Sequence, residues 1–271
     1  MKKAFARSVN KAGNRFYDYK KAVLTFEDPE DLHQMRVSGR TLLSYIYVLA
    51  DEKEKDRPGF KKLRKPLKKA MDSLGALRDT DVLLEEVEAS LGAFTPDQRV
   101  IIEKWLAHKK DEREALREQV EETLPEAVDK SWKRRMTMWA RYSVPKLVDK
   151  KSLLVRLEEL HDEKDRSFEA IRDFPSANMA DTDFLEQLHK SRICVKKLRY
   201  TLTVLDKFMD IDQAEIKTMK NLQDQLGHIH DISVWISQLK SFYGDGEGLE
   251  GIESTWRKEM LVTLLATGIL V

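Results

Sequence analysis

Apolar side chains recur every three or four positions along most of the chain, which is the period of an α-helix. The alternation of apolar and polar positions that is typical of strands is absent, and only 11 glycines and 7 prolines occur in 271 residues. The pattern therefore predicts an all-α protein. The predicted helices cover about 3–25, 31–50, 60–74, 80–91, 96–124, 126–142, 145–172, 182–209, 212–226, 232–243 and 249–266.

Glycine, aspartate and proline predict several of the helix ends. Gly75 and Gly227 are each expected to end a helix, because glycine is favoured just past a helix C-terminus. Asp79 and Asp231 are expected to cap the helices that follow. Pro66 removes a backbone donor, so its helix is expected either to begin near this residue or to kink there.

Two stretches of the chain carry the same run of basic residues behind a histidine. The runs begin at His33 and His189, an offset of 156 (189 − 33), and in each run basic residues stand at i+3 and i+7 on one helical face. A Leu-Gly pair follows each run, from Leu74 and Leu226, at an offset of 152 (226 − 74). Two motifs in the same order at nearly the same offset indicate an internal duplication of a helical unit. Within a single domain over 1–271, repeat unit one then covers about 28–125, connecting helices about 126–175 and repeat unit two about 182–271.

The cations are concentrated, although the formal net charge is only +1. Arg57 to Met71 contains seven basic residues and no acidic one, and His189 to Tyr200 contains five and none. Like charges one helical turn apart repel by roughly 0.2–0.5 kcal/mol per pair when nothing neutralises them. Such faces favour a polyanion as the counter-charge. The alternative is a solvated face of lysine and arginine, and its repetition in both units argues against that alternative.

The candidate binding residues are the cations on these repeated faces. They are His33, Arg36, Arg40, Lys65 and Lys68 in the first unit, and His189, Arg192, Lys196, Lys197, Arg199, Lys217 and Lys220 in the second. Lys3, Arg7 and Lys11 on the basic N-terminal helix are further candidates with weaker support. The two motif histidines either donate to an anion or are partly buried and bond to neighbouring backbone. No catalytic residue and no metal ligand is predicted.

The remaining composition indicates the compartment. Cys194 is the only cysteine, so no intramolecular disulfide can form, which suits a reducing cytosol. No apolar segment of the signal-peptide type follows the basic N-terminus. The longest apolar stretch, 260–271, is too short to span a bilayer. A cytoplasmic protein without a membrane partner is therefore expected.

These motifs closely resemble those of a known family, the conserved histidine α-helical domain, or CHAD. The resemblance is carried by Asp-Pro-Glu-Asp-Leu-His-Gln-Met-Arg-Val from Asp28, by Leu-Gly-Ala-Leu-Arg-Asp-Thr-Asp-Val from Leu74, by the run from His189 to Tyr200, and by Leu-Gln-Asp-Gln-Leu-Gly from Leu222. It extends from about residue 2 to the end. It implies two pseudo-symmetric four-helix bundles whose basic residues line a central pore or groove, and a non-enzymatic, cofactor-free binding of inorganic polyphosphate.

The same resemblance implies roles for particular residues. Basic binding roles fall on Arg36, Arg40, Arg192, Lys196, Lys197 and Arg199, and with weaker support on the two motif histidines. Leu43 stands where Arg199 would align (199 − 156), so the first repeat is expected to contribute less. Removal of these cations is expected to change stability little or to improve it, because repulsion is relieved. Association with polyphosphate granules and binding of other phosphate polyanions are further expectations.

Two other functions remain open from the sequence. Nucleic-acid binding would use the same cations, but the near-zero net charge and the lack of aromatic residues interleaved with them argue against it. A metal-dependent phosphohydrolase would use His33, His189, His230 and Asp231. Against it, His230 aligns with Arg78, which cannot ligate a metal.

Overall fold

The computed structural model describes residues 1–50, 52–244 and 248–270. These residues form helices and no strand, so the all-α prediction is confirmed. The α-helices are α1 (Lys2–Val23), α2 (Pro29–Leu49), α3 (Glu52–Asp56), α4 (Pro58–Ser90), α5 (Pro96–Ala127), α6 (Lys130–Met138), α7 (Val144–Leu147), α8 (Lys150–Arg172), α9 (Thr182–Leu205), α10 (Gln213–Tyr243) and α11 (Leu249–Thr267). A 3₁₀ turn covers Leu91–Ala93 and a π-helical turn covers Trp139–Ser143. Within the described part of the chain, no helix combines the length and the apolar character that crossing a membrane requires.

Aspartate side chains cap the start of several of these helices. Asp28, Asp129 and Asp212 each stand just before a helix in extended backbone, and each carboxylate accepts a hydrogen bond from a backbone N–H in the first turn. Such caps satisfy donors that the helix itself leaves unpaired. The α2 and α10 caps fix the start of the helices that carry the first basic motif and His230.

Two predicted helix breaks are wrong. Gly75 and Asp79 lie inside α4, and Gly227 and Asp231 lie inside α10, so neither aspartate is an N-cap and each pair of predicted helices is one helix. A glycine costs a helix only about 1 kcal/mol relative to alanine. Buried leucine and isoleucine side chains continue on both sides of each glycine, and their packing outweighs that cost.

Pro66 also lies within α4. This helix begins at Pro58, so the prediction of a start near Pro66 is wrong. Leu63 and Leu67, on either side of the proline, are both buried, and their burial contributes about 1.5–3 kcal/mol each. That contribution accounts for a helix that continues although the proline removes one backbone hydrogen bond.

The chain divides into two compact units that are discontinuous in sequence. Unit 1 comprises Met1–Val82, Asp111–Arg156 and Thr203–Asp210, and unit 2 comprises Leu83–Lys110, Leu157–Leu202 and Ile211–Val271. The first basic motif, on α2, therefore belongs to unit 1, and the second, on α9, belongs to unit 2. The internal duplication itself stays a prediction.

Large aromatic residues form the core of unit 1, where α1 packs against α2 and the segment from α6 to α7. Phe5 contacts Tyr45 edge to face at 5.5 Å, and Phe16 contacts Trp132 at 5.7 Å between ring centroids. The indole N–H of Trp132 donates to the carbonyl of Leu63 at 3.0 Å, which ties α6 to α4. These contacts hold α2, and with it the first motif, in place.

A tryptophan cluster forms the core of unit 2. Trp256 of α11 contacts Trp235 of α10 at 6.1 Å and Trp105 of α5 at 6.3 Å between ring centroids. The Tyr243 hydroxyl donates to the carbonyl of Ile101 at 2.8 Å, which fixes the end of α10. Because α10 is anchored by this cluster, the polar face that it presents to α9 is held in place.

Candidate anion-binding site

Four basic side chains lie together in unit 2, on α9 and α10. His189, Arg192 and Lys196 project from α9, and His230 projects from α10. The Nδ1 atoms of the two histidines are 3.1 Å apart, and their ring centroids are 4.5 Å apart. Arg192 and Lys196 are near enough that their charges act on both rings. We call these four residues the unit 2 cluster.

The local sequence explains why α9 presents this face. Leu188, Val195, Leu198 and Leu202 are buried and define the core side of the helix. His189, Arg192 and Lys196 follow at i, i+3 and i+7 beside that stripe and are half-buried. The position of α9 is fixed against α8, because the side chains of Gln187 and Ser191 both donate to the carbonyl of Ser167, at 3.0 and 3.1 Å.

The electrostatic environment of the unit 2 cluster is positive. Burial, followed by the charges of Arg192, His189 and Lys196, lowers the pKa of His230 from 6.5 to about 4. Burial, then Arg192 and Lys196, also lower the pKa of His189, and the carboxylate of Glu186 opposes them in part. Both shifts favour the neutral imidazole, so the permanent charge of the cluster comes from Arg192 and Lys196.

Arg192 has a donor that is not used within the protein. Its Nε is buried and has no hydrogen-bond partner among the described residues. A buried N–H without a partner costs free energy, about 1–3 kcal/mol, which an anion accepting that bond would recover. Gly227 of α10 faces it, since a Cβ built there would lie 3.9 Å from the same Nε.

The aligned arginine in unit 1 has a different environment. Arg36 is 8% exposed and donates from Nη1 to the carbonyl of Leu74 at 2.8 Å and from Nη2 to Asp79 at 3.1 Å. Burial, then the charge of Arg40, lower its pKa from the ordinary value, and Asp79 opposes them. Arg36 is thus bonded inside its own unit, whereas the Nε of Arg192 is not.

Arg36 explains the helical glycine at position 75. A Cβ at Gly75 would lie 3.1 Å from Nη1 of Arg36, closer than most van der Waals contacts allow. Glycine at this position lets the guanidinium approach α4 and reach the carbonyl of Leu74. The Leu-Gly pair of α4 is therefore a place where the helix is approached closely by an arginine of α2, and not a helix end.

The two glycines should differ when they are replaced by alanine. Alanine favours a helix over glycine by about 1 kcal/mol. Gly227→Ala has room for the added Cβ, so we expect it to stabilise the protein. Gly75→Ala must push the buried Arg36 guanidinium back by a few tenths of an ångström, so we expect no gain or a loss, about 1 kcal/mol below Gly227→Ala. Urea unfolding of both variants measures the difference, and equal stabilisation would contradict this reading of Gly75.

The other predicted residues divide into bonded and exposed groups. Lys197 pairs with Glu163 at 3.4 Å, and Arg199 donates to Gln223 at 3.0 Å and lies over the Tyr200 ring. His33, Lys65, Lys68, Lys217 and Lys220 are exposed, as are Lys3, Arg7 and Lys11 of α1. Arg7, Lys11 and Arg15 line an open cleft of about 660 Å³ in unit 1. These placements do not test the predicted binding roles.

His230 was not among the predicted binding residues. The sequence contained a signal for it, because His230 aligns with Arg78 at the offset of 152 (230 − 78), and Arg78 lies close enough to lower the pKa of Arg36. In unit 1, α4 thus brings Arg78 near Arg36, and in unit 2, α10 brings His230 near Arg192. The signal was missed because the predicted helix break at Gly227 separated His230 from the motif.

His189 and His230 do not belong to a group of potential metal ligands among the described residues. Within residues 1–50, 52–244 and 248–270, no group of three or more histidine, cysteine or acidic residues is placed to hold a metal ion. His228, also on α10, has its ring nitrogens 3.6 Å from Glu86 and 2.8 Å from Glu259.

The described residues form an all-α domain in which the motif histidine His189 lies in a basic cluster. Comparison with known proteins identifies the family. The model of the CHAD domain matches residues 8–240. The chain belongs to the CHAD family. It is similar to the crystal structure of the CHAD domain from the plant Ricinus communis, with a TM-score of 0.68 and 21% identity over 98% of this chain and 87% of that chain. No curated protein matches it significantly.

Proposed function

We propose that this protein binds inorganic polyphosphate as a receptor and not as an enzyme. The observation that carries the proposal is the unit 2 cluster, in which Arg192 and Lys196 create a positive, partly buried environment and a buried arginine N–H lacks a partner. Arginine offers directional bonds to phosphoryl oxygens, and lysine offers a point charge. The resemblance of the sequence motifs to the CHAD family indicates the same ligand.

The spacing of the cations fits a linear polyanion. His189, Arg192 and Lys196 are one helical turn apart, which places neighbouring Cβ atoms about 5–6 Å from each other. On α10, exposed Lys217 and Lys220 add a second pair with the same spacing. A chain of phosphoryl groups carries regularly spaced charges along its length, so several of its groups can contact cations on these helices together.

Nucleic acid is the competing ligand, and the environment of Tyr200 in the second basic motif argues against it. Proteins that bind single strands without sequence preference stack bases on exposed aromatic rings. Tyr200 is the aromatic residue of the second motif, and the guanidinium of Arg199 lies over its ring at 5.0 Å. This ring face is therefore covered, and the cluster offers bonds to phosphate rather than a surface for bases.

Binding to labelled long-chain polyphosphate should depend strongly on salt. Contacts with three or more phosphates release condensed counterions, so affinity should fall at least about tenfold between 50 and 200 mM salt. Fluorescence anisotropy measures this, with pyrophosphate and with single- and double-stranded nucleic acid as competitors at equal phosphate concentration. We expect long polyphosphate to compete best and no phosphate to be released. Equal competition by pyrophosphate, or stronger competition by nucleic acid, would contradict the proposal.

A further inference from the structure

We infer that a polyanion binds the unit 2 cluster together with a proton, which the pair of His189 and His230 takes up from solution. This inference deepens the proposed function and rests on it. The site would then bind phosphate polyanions more tightly as the pH falls from 7.5 to 5.5, although its arginine and lysine do not titrate in that range.

The geometry of the pair limits how many protons it can hold. With 3.1 Å between the two Nδ1 atoms, one nitrogen must carry the hydrogen and the other must accept it. An added proton on Nε2 of the donating ring leaves this bond intact and makes it charge-assisted. A second added proton would place two N–H groups against each other. The pair therefore takes up about one proton.

Without a ligand, that proton is disfavoured. Burial and the charges of Arg192 and Lys196 oppose it at both rings, and only at His189 does Glu186 favour it. Carboxylates on the neighbouring helices also face α9 and α10. Glu163 of α8 contacts Lys197, and Glu86 of α4 and Glu259 of α11 contact His228, while Asp231 follows His230 on α10. None of these is a cause of the pKa shift at either ring, so an anionic ligand would add counter-charge to that of Glu186.

An anion at the cluster would reverse this balance. Its charge offsets those of Arg192 and Lys196 and favours an imidazolium beside it. By linkage, the factor by which the anion strengthens proton binding equals the factor by which the proton strengthens anion binding. If the complex returns the pKa of the pair to its ordinary value of about 6.5, affinity should rise about tenfold between pH 7.5 and 5.5.

The experiment uses the full chain and long-chain polyphosphate at constant ionic strength. The inner phosphoryl groups of this ligand stay ionised throughout the range, whereas orthophosphate would itself titrate. Affinity is measured at pH 7.5, 6.5 and 5.5 for wild type, His230→Gln and His189→Gln. His161→Gln is the control, because His161 contacts Glu215 away from the cluster. We expect about a tenfold rise for wild type and the control, and a change below about twofold for the two variants.

Calorimetry of the wild type alone provides a second readout that does not depend on variant folding. Titrations at pH 6 in buffers of different ionisation enthalpy give the number of protons taken up, which we expect to be about 0.75 per bound site for a pKa of about 6.5 in the complex. Tight binding with no proton uptake and no pH dependence would overturn the coupling and leave polyphosphate binding standing. A pH dependence that survives in both histidine variants would also overturn it. Absence of polyphosphate binding at every pH would overturn the proposed function itself.

Discussion

The double variant Arg192→Ala/Lys196→Ala should bind long-chain polyphosphate at least about tenfold more weakly than the wild type. Hydrogen bonds to charged groups contribute roughly 1.5–3 kcal/mol each, and 1.4 kcal/mol corresponds to a factor of ten. Both side chains contribute to the positive environment of the unit 2 cluster, and Arg192 offers a buried N–H that has no partner among the described residues. Fluorescence anisotropy at low salt measures the loss.

A matched control separates the site from overall charge. Lys150→Ala/Lys151→Ala also removes two positive charges, but from the exposed start of α8 in unit 1. We expect it to weaken binding less than about threefold, since exposed charges act mainly through the screened field. Equal losses in the two double variants would show that binding follows net charge and not the cluster. Circular dichroism verifies that both variants are folded.

Arg36→Ala should destabilise the protein by about 2 kcal/mol, since a buried carbonyl acceptor would lose a charged donor. The expectation that removal of this cation leaves stability unchanged or improves it does not fit the structure at this residue. Burial and the charge of Arg40 lower the pKa of Arg36, but its removal would break the buried bonds to Leu74 and Asp79. Urea unfolding measures the difference.

The aligned arginine provides the comparison for Arg36. Arg192→Ala removes a residue whose Nε is unbonded and whose charge lowers the pKa of two neighbouring histidines. We therefore expect Arg192→Ala to be at least as stable as the wild type, because the variant no longer buries a donor without a partner. If Arg192→Ala destabilised the protein as much as Arg36→Ala, the two arginines would share a structural role, and the assignment of Arg192 to ligand binding would lose its basis.

The helical periodicity of the sequence was sufficient for the fold class but not for every helix boundary. The three-to-four spacing of buried leucines places α9 and its polar face correctly. The predicted helix ends at Gly75 and Gly227 were wrong because glycine also occurs inside helices that pack closely on a neighbour. Only the structure shows that an arginine occupies the space that a Cβ would take at Gly75.

The candidate site was predictable only in part for a related reason. His189, Arg192 and Lys196 share one helix, so their common face follows from spacing alone. Their contact with His230 joins residues on two helices, and this depends on how α10 packs against α9. The difference between Arg36 and Arg192 was also not predictable from the sequence. Both motifs contain an arginine followed by a Leu-Gly pair and an aspartate, and only the structure shows how the burial and bonding of the two arginines differ.

The most direct test of polyphosphate binding at the unit 2 cluster is a nuclear magnetic resonance titration of the wild-type protein. Arginine Nε–H and histidine ring signals are recorded at pH 6 while long-chain polyphosphate is added, and single substitutions assign Arg192 and His230. We predict that the Arg192 Nε–H signal shifts more than that of Arg36, and that the His230 ring signals move toward the protonated form. Saturable polyphosphate binding that leaves the Arg192 and His230 signals unchanged would place the ligand elsewhere and contradict this account.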